Sequence, residues 1–94
     1  MYAKKTTIIN KSGLHARPGS LFVREAKKFN SEITVAKLDG EDKPVKTCPA
    51  KSIALVMAMM LSKGTRVEIS AEGEDEQAAV DTLAALVDAG LNDL

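Results

Sequence analysis

The stretch Asn10-Lys11-Ser12-Gly13-Leu14-His15-Ala16-Arg17-Pro18 marks the point at which the hydrophobic pattern of the chain changes. Before it, Thr6-Thr7-Ile8-Ile9 is rich in β-branched residues and predicts a strand. After it, Phe22, Val23 and Ala26 recur at helical spacing. Because turn-forming residues separate the two patterns, the sequence predicts a strand, a tight turn and then a helix.

Strand patterns recur further along the chain. Polar and apolar residues alternate over 32–38 and again over 66–70, which predicts two strands that each bury one face. Asp39-Gly40 is typical of a hairpin turn. A weak strand follows around Val45, where the prolines on either side limit the ladder hydrogen bonds.

Two further helices complete the prediction. Ser52 begins a short helix over the apolar run 53–61. Acidic residues at 74–76 favour the start of the last helix, and Gly90 is placed to cap its end. The order β-α-β-β-α-β-α predicts an α+β fold, with a four-stranded, mainly antiparallel sheet and three helices on one face. We expect residues 1–94 to form one domain.

Composition narrows the class of protein. Apolar residues make up 45% of the chain, and 13 basic residues balance 13 acidic ones. Binding to nucleic acid or to an acidic membrane surface is therefore not expected. The single cysteine excludes an intramolecular disulfide and a multi-cysteine metal site. With no signal-peptide pattern and no apolar run long enough to span a membrane, we expect a soluble cytoplasmic protein.

His15, the only histidine, is the leading candidate for chemistry. A neutral imidazole is a nucleophile, and phosphoryl transfer needs mainly positioning and charge stabilisation. The start of a helix attracts anions, here through the amides of Ala16 and Arg17. The Arg17 guanidinium adds charge-assisted hydrogen bonds to phosphate oxygens, and Gly13 lets the preceding turn bend tightly.

The residues alone leave a second interpretation of His15 open, in which it is an ordinary surface residue at a helix entrance. A metal site is not expected, since no carboxylates lie near His15 at ligand-like spacing. A Ser–His–acid hydrolase is not expected either, because no nucleophile elbow is present. A small hydrolase or thiol enzyme would rest only on His15 and Cys48.

The apolar run 53–61 is longer than one helix face can bury. Val56, Met59 and Leu61 are the expected core residues. The alternative is that the whole run is core, because a short helix on an open sheet can hide much of its surface. Ser52 is in the same way open to two interpretations, a plain N-cap or a modified residue.

Four stretches of the sequence resemble the HPr family of histidine-containing phosphocarrier proteins. They are 13–18, Phe22-Val23-Arg24-Glu25-Ala26, Lys51-Ser52-Ile53 and Ile69-Ser70-Ala71-Glu72-Gly73-Glu74-Asp75-Glu76. The resemblance covers nearly the whole chain in the same order. It implies an open-faced β-sandwich with sheet order 1-4-2-3. The segment 41–51 is several residues longer than is usual in the family, so the register of the third strand is not predicted.

The resemblance also implies a function. His15 would carry a phosphoryl group on Nδ1, received from enzyme I of the bacterial sugar phosphotransferase system and passed to enzyme IIA domains. Arg17 and the amides of Ala16 and Arg17 would stabilise it. Such a carrier is not an enzyme in the turnover sense. It needs no metal and no cofactor, and we expect it to be a monomer.

Two regulatory features are implied by the same resemblance. Ser52 matches a serine that a dedicated HPr kinase phosphorylates in some bacteria, with a transcriptional regulator as partner. Ile53, Ala54 and Met57 would face outward beside His15 and dock partner proteins. Two alternatives remain: a regulatory HPr-like module that acts mainly by binding partners, and the nitrogen-related branch of the same system.

Overall fold

The computed structural model describes residues 1–14 and 16–91. Seven elements follow one another: β1 (Tyr2–Thr7), α1 (Ala16–Ala26), β2 (Glu32–Leu38), β3 (Pro44–Pro49), α2 (Ile53–Ala58), β4 (Arg66–Glu72) and α3 (Glu76–Asp88). This is the order that the sequence pattern predicts. Within the described ranges, no helix is long and apolar enough to cross a membrane.

The four strands form one antiparallel sheet in the order β1-β4-β2-β3. One row of paired residues runs across it, from Lys4 to Ile69, Val35 and Cys48. The predicted α+β class, the mainly antiparallel sheet and the open-faced arrangement with order 1-4-2-3 are all confirmed.

The core lies between the sheet and the helices. Alternate residues of β2 and β4 point into it, because successive side chains of a strand face opposite sides. The core is mainly aliphatic, with Phe22 as its one fully buried aromatic side chain among the described residues. Its largest buried members are Phe22, Ile8, Leu61, Ile69, Leu83, Leu91, Val35, Val56, Val67, Val80 and Val87.

β2 and β3 form a hairpin, and the segment 41–51 contains most of its loop and the whole of β3. The pairing shifts between Lys37 and Leu38, so the ladder is irregular at the end next to the loop. Asp42, at a φ of 60°, receives a bidentate hydrogen bond from Arg66, with both nitrogen–oxygen distances 3.0 Å. The hairpin loop is thereby fastened to β4. β3 is an edge strand, the position in a sheet where its two prolines are tolerated.

The two later helices end differently. After α3, Gly90 adopts a φ of 82° and Leu91 donates its N–H to Leu86 O at 3.0 Å, so the predicted glycine cap is confirmed. α2 ends earlier than the apolar run suggests. The chain leaves the helix at Met59 and turns through Met60, whose φ is 52°.

Candidate functional site

α1 begins at Ala16, the residue that follows His15. His15 itself lies outside the described residues. Ala16 and Arg17 occupy the first two helical positions. The side chain of Arg17 is exposed, so its guanidinium is accessible to an anion at this end of α1.

The turn before α1 is held tightly against the chain that follows α2. Leu14 donates its N–H to Leu61 O at 2.8 Å. Gly13 has a φ of 65°, and a Cβ atom there would lie 2.2 Å from Leu61 O. The expectation that Gly13 permits a tight turn is confirmed, and the reason includes this close approach as well as the backbone angle.

Asn10 is a structural residue of the site that the sequence patterns did not single out. Its side chain is fully buried and donates from Nδ2 to Gly13 O at 2.8 Å, while Gly13 N donates to Asn10 O at 3.2 Å. The turn is therefore closed by both a side chain and the backbone. The only signal in the sequence was an asparagine in a turn cluster, which is common in turns of every kind.

Ser52 caps the N-terminus of α2. Its backbone is extended, with φ −105° and ψ 106°, and its hydroxyl oxygen accepts a hydrogen bond from Leu55 N at 3.3 Å. The predicted N-cap is confirmed. Lys51, which precedes it, donates from Nζ to Phe29 O at 2.6 Å and so ties the start of α2 to the turn that follows α1.

α2 divides its apolar residues between the core and the surface. Val56, Met59 and Leu61 are at most 4% exposed, as predicted. Ile53 is 39% exposed, Ala54 is exposed and Met57 is half-buried. The alternative that the whole run is core is therefore wrong. Outward orientation is confirmed for Ile53 and Ala54, and it is only partial for Met57.

Two more apolar side chains of this region are exposed. They are Leu55, at 49%, and Met60, at 76%. Met60 lines a surface cavity of about 380 Å³ together with Ser12, Leu14, Met57, Leu61 and Ser62. Periodicity could not find these residues, because the apolar run shows no break where the helix ends.

α1 packs closely against α2. A Cβ atom on Gly19 would lie 3.2 Å from Met57 Sδ, which is tighter than ordinary van der Waals contact. Gly19 is buried, and its lack of a side chain permits this close packing. The contact joins the helix that carries Arg17 to the helix that Ser52 caps.

Charge is distributed unevenly around the molecule although the formal net charge is zero. Arg17, Arg24, Lys27 and Lys28 are exposed on α1 and just beyond it, and one acidic residue, Glu25, lies among them. Glu25 pairs with Lys28 at 2.7 Å. The exposed side of α1 therefore has a positive potential, which favours anions and acidic partner surfaces.

Cys48 is buried in the core, at 7% exposure. Burial raises the pKa of its thiol, so the reactive thiolate is disfavoured. Both features count against the thiol chemistry on which one alternative function rested.

Known proteins are similar to this chain over nearly its whole length. The family model described as the PTS HPr component phosphorylation site matches residues 2–89. The chain is 47% identical to the phosphocarrier protein HPr of Haemophilus influenzae over 93% of its length and 95% of that protein. It is 45% identical to the HPr-like protein Crh of Bacillus subtilis, again over 93% and 95%.

A solved structure agrees with these sequence matches. HPr from Thermoanaerobacter tengcongensis superimposes with a TM-score of 0.88 at 40% identity, over 100% of this chain and 99% of that one. The sequence matches and the structural match thus agree. The chain belongs to the HPr family, the phosphocarrier proteins of the phosphotransferase system.

Proposed function

We propose that the chain accepts a phosphoryl group on His15 from phosphorylated enzyme I, which obtains it from phosphoenolpyruvate, and passes it to enzyme IIA components for sugar uptake. The proposal rests on one observation above all. The turn that precedes His15 is closed by Asn10 and Leu61, and it leads directly into α1 with Arg17 exposed in the first turn. A nucleophile at this point meets the N-terminal amides of a helix and a guanidinium.

The chemistry needs few groups. The unprotonated Nδ1 of His15 attacks phosphorus while the bond to the donor's leaving atom breaks, and the reverse step delivers the group to the acceptor. Arg17, with the amides of Ala16 and Arg17, offsets the negative charge of the phosphoryl oxygens. Because Arg17 is exposed rather than enclosed, the group stays open to an incoming acceptor.

Partner docking is assigned to the apolar residues of α2 that reach the surface. Ile53, Ala54 and Met57 lie on the helix that packs against α1, so they flank the basic side of the molecule. An apolar centre with charged surroundings suits a transient interface. We propose that the chain acts as a monomeric single domain in the cytoplasm, with no metal or cofactor of its own.

Ser52 is proposed as a regulatory phosphorylation site. It is partly accessible, and it caps the helix that carries Ile53 and Ala54, so a phosphate there would alter the docking surface directly. An HPr kinase would modify it, and a transcriptional regulator would read it.

A transfer assay tests the main proposal. The chain is incubated with enzyme I and phosphoenolpyruvate, and then with an enzyme IIA domain. We expect phosphate to appear on the chain and then on the IIA domain. Failure of the wild type to pass phosphate to any IIA domain, after being loaded itself, would sink the transport role.

A regulatory module is the second candidate, and the identity to the HPr-like protein Crh favours it. In that case partner binding after Ser52 phosphorylation is the output. Labelling of Ser52 by an HPr kinase, in a chain that enzyme I does not phosphorylate, would support this candidate instead. The nitrogen-related branch would be recognised by phosphorylation from that branch's own enzyme I and not from the sugar-specific one.

A further inference from the structure

Asn10 places a polar side chain in the interior of the protein, beside the candidate site. The side chain is fully buried, and Nδ2 donates to the carbonyl oxygen of Gly13, two residues before His15, at 2.8 Å. A buried amide needs such a partner, whereas an apolar side chain would fill the same space without one. What the amide adds to the structure is a fixed direction for the Gly13 carbonyl.

The two ends of the turn before α1 are held by backbone hydrogen bonds alone. At the first end, Ile8 N donates to Thr65 O at 2.9 Å. At the second end, Leu14 N donates to Leu61 O at 2.8 Å. The turn therefore stays attached to the segment before β4 whatever side chain stands at position 10.

Within the turn, the peptide unit that joins Gly13 to Leu14 is clamped from both sides. Its carbonyl group accepts from Asn10, and its N–H group donates to Leu61. Gly13 has a φ of 65° and no Cβ atom, so its own backbone resists rotation of this peptide plane very little. The Asn10 amide supplies the restraint that glycine does not.

We propose that Asn10 is a positioning residue for phosphoryl transfer, which fixes the direction of the chain immediately before His15 by holding this peptide plane. The inference rests on the proposed function. It adds a residue that touches neither the phosphoryl group nor a partner protein, because its side chain is enclosed. A misplacement of about 1 Å in a reacting group can cost about a hundredfold in rate, so a loose peptide plane should slow the transfer.

Three variants separate this role from general stability. Leucine has the same branching at Cγ as asparagine, so Asn10→Leu fills the buried space and removes the donor. Asn10→Ser keeps a shorter donor, a hydroxyl group. Ser31→Ala is the matched control, since Ser31 is 2% exposed and its hydroxyl donates to Asp75 beyond the far end of α1.

The first measurement is amide hydrogen exchange by nuclear magnetic resonance, which reports on the turn without any partner protein. In Asn10→Leu we expect the amide of Leu14 to exchange about tenfold faster than in the wild type, because its peptide plane has lost one restraint. In Ser31→Ala its exchange should stay within about twofold of the wild type.

The second measurement is single-turnover transfer from phosphorylated enzyme I, followed by rapid quenching over a range of concentrations of the chain. For Asn10→Leu we expect the limiting rate to fall about tenfold, with the half-saturating concentration within about twofold of the wild type. Asn10→Ser should fall between the wild type and Asn10→Leu. Ser31→Ala should match the wild type in both quantities.

The outcomes distinguish the inference from the function on which it rests. A wild-type limiting rate in Asn10→Leu would overturn the role of Asn10 while the carrier function stands. An equal loss of rate in Ser31→Ala would overturn it too, because the effect would then be one of general stability. If Asn10→Leu does not fold, a wild-type rate in Asn10→Ser despite faster exchange at Leu14 would be decisive against the role. If enzyme I transfers nothing to the wild type, the proposed function fails first.

Discussion

Arg17 and Cys48 show how exposure decides the chemistry open to a single residue. Arg17 lies in the first turn of α1 with its charge in solvent, where it can meet a phosphoryl group. Cys48 lies on the edge strand β3, and its side chain is part of the hydrophobic core. Both residues are candidates for chemistry in the sequence. The difference in their burial decides which of them is available to a ligand.

Replacing Arg17 by alanine should impair transfer without unfolding the protein. Its side chain is exposed, so we expect the stability to change by less than about 0.5 kcal/mol. The loss of charge-assisted hydrogen bonds should lower kcat/KM for phosphorylation by about tenfold or more. Arg24→Ala, on the same helix, is the matched control, and equal losses in both variants would reduce Arg17 to a general electrostatic role.

Cys48 should be unreactive in the folded protein. Because burial raises the pKa of its thiol, less thiolate is present at neutral pH than in an exposed cysteine. We expect a thiol reagent such as a disulfide-forming chromophore to label Cys48 slowly in buffer and rapidly in denaturant. Fast labelling of the native state, or loss of transfer in Cys48→Ser, would contradict this assignment.

At the scale of elements, the close approach of the turn at 10–14 to Leu61 should make Gly13 intolerant of a side chain. A Cβ atom there would lie 2.2 Å from Leu61 O, and the φ of 65° is unfavourable for alanine. We expect Gly13→Ala to cost more than about 2 kcal/mol in the free energy of unfolding. Chemical denaturation measures it, and a loss below half that value would show that the turn can move aside.

Loss of the N-cap of α2 should lower the free energy of unfolding by less than Gly13→Ala does. Ser52→Ala removes the acceptor for Leu55 N and should cost about 1 kcal/mol. Ser52→Asp keeps an acceptor and places a negative charge at the start of the helix, so its stability should match that of the wild type. Equal stability of all three proteins would mean that the 3.3 Å hydrogen bond contributes nothing.

The spacing of apolar residues along the sequence predicts most of the helices and strands. It does not predict the start of β1. β1 begins at Tyr2, whereas the β-branched signal begins at Thr6. The reason is that the early residues of β1 face α3 through polar contacts: Tyr2 Oη and Lys4 Nζ each lie 2.8 Å from Asp81 Oδ1. Apolar alternation is therefore absent from a strand that is nonetheless fully paired with β4.

The candidate site also has residues that the sequence predicts and residues that only the structure reveals. Residue type and local spacing make His15, Arg17 and Ser52 candidates, and the family resemblance implies their roles; both are read directly from the sequence. The support from Asn10 and Leu61, and the exposure of Met60, depend on a turn and a helix end that are brought together from distant parts of the chain. Such contacts leave no periodic signal, so only the structure reveals them.

At the scale of the whole molecule, carboxylates that receive hydrogen bonds hold separate elements together. The side chain of Ser31 and the backbone N–H of Asn30 lower the pKa of Asp75, and so link the start of β2 to the start of α3. Arg66 lowers the pKa of Asp42. Lys4, followed by Tyr2, lowers the pKa of Asp81, which fastens β1 to α3.

These lowered pKa values predict that acid destabilises the protein. The ordinary value for each aspartate is 3.8, so the unfolded chain binds protons at a higher pH than the native state. The stabilisation is present in full above about pH 5 and is lost as the pH falls through 3.8 towards the native pKa values.

Acid unfolding of the wild type and of Asp75→Asn tests this linkage. The variant lacks the carboxylate that accepts hydrogen bonds from Ser31 and Asn30, so its stability should be lower at neutral pH. Because asparagine cannot be protonated, the stability of the variant should fall less steeply below pH 3.8. Parallel curves for the two proteins would show that Asp75 does not contribute to the acid transition.

Comparing the wild type with His15→Ala shows whether this molecule carries phosphate on His15. The wild type and His15→Ala are each incubated with enzyme I and phosphoenolpyruvate, and intact mass and ³¹P nuclear magnetic resonance are recorded before and after brief acid treatment. We predict a single acid-labile phosphoryl group bound to nitrogen in the wild type and none in His15→Ala. An unmodified wild type, or equal phosphorylation of His15→Ala, would mean that His15 is not the residue that carries the phosphoryl group.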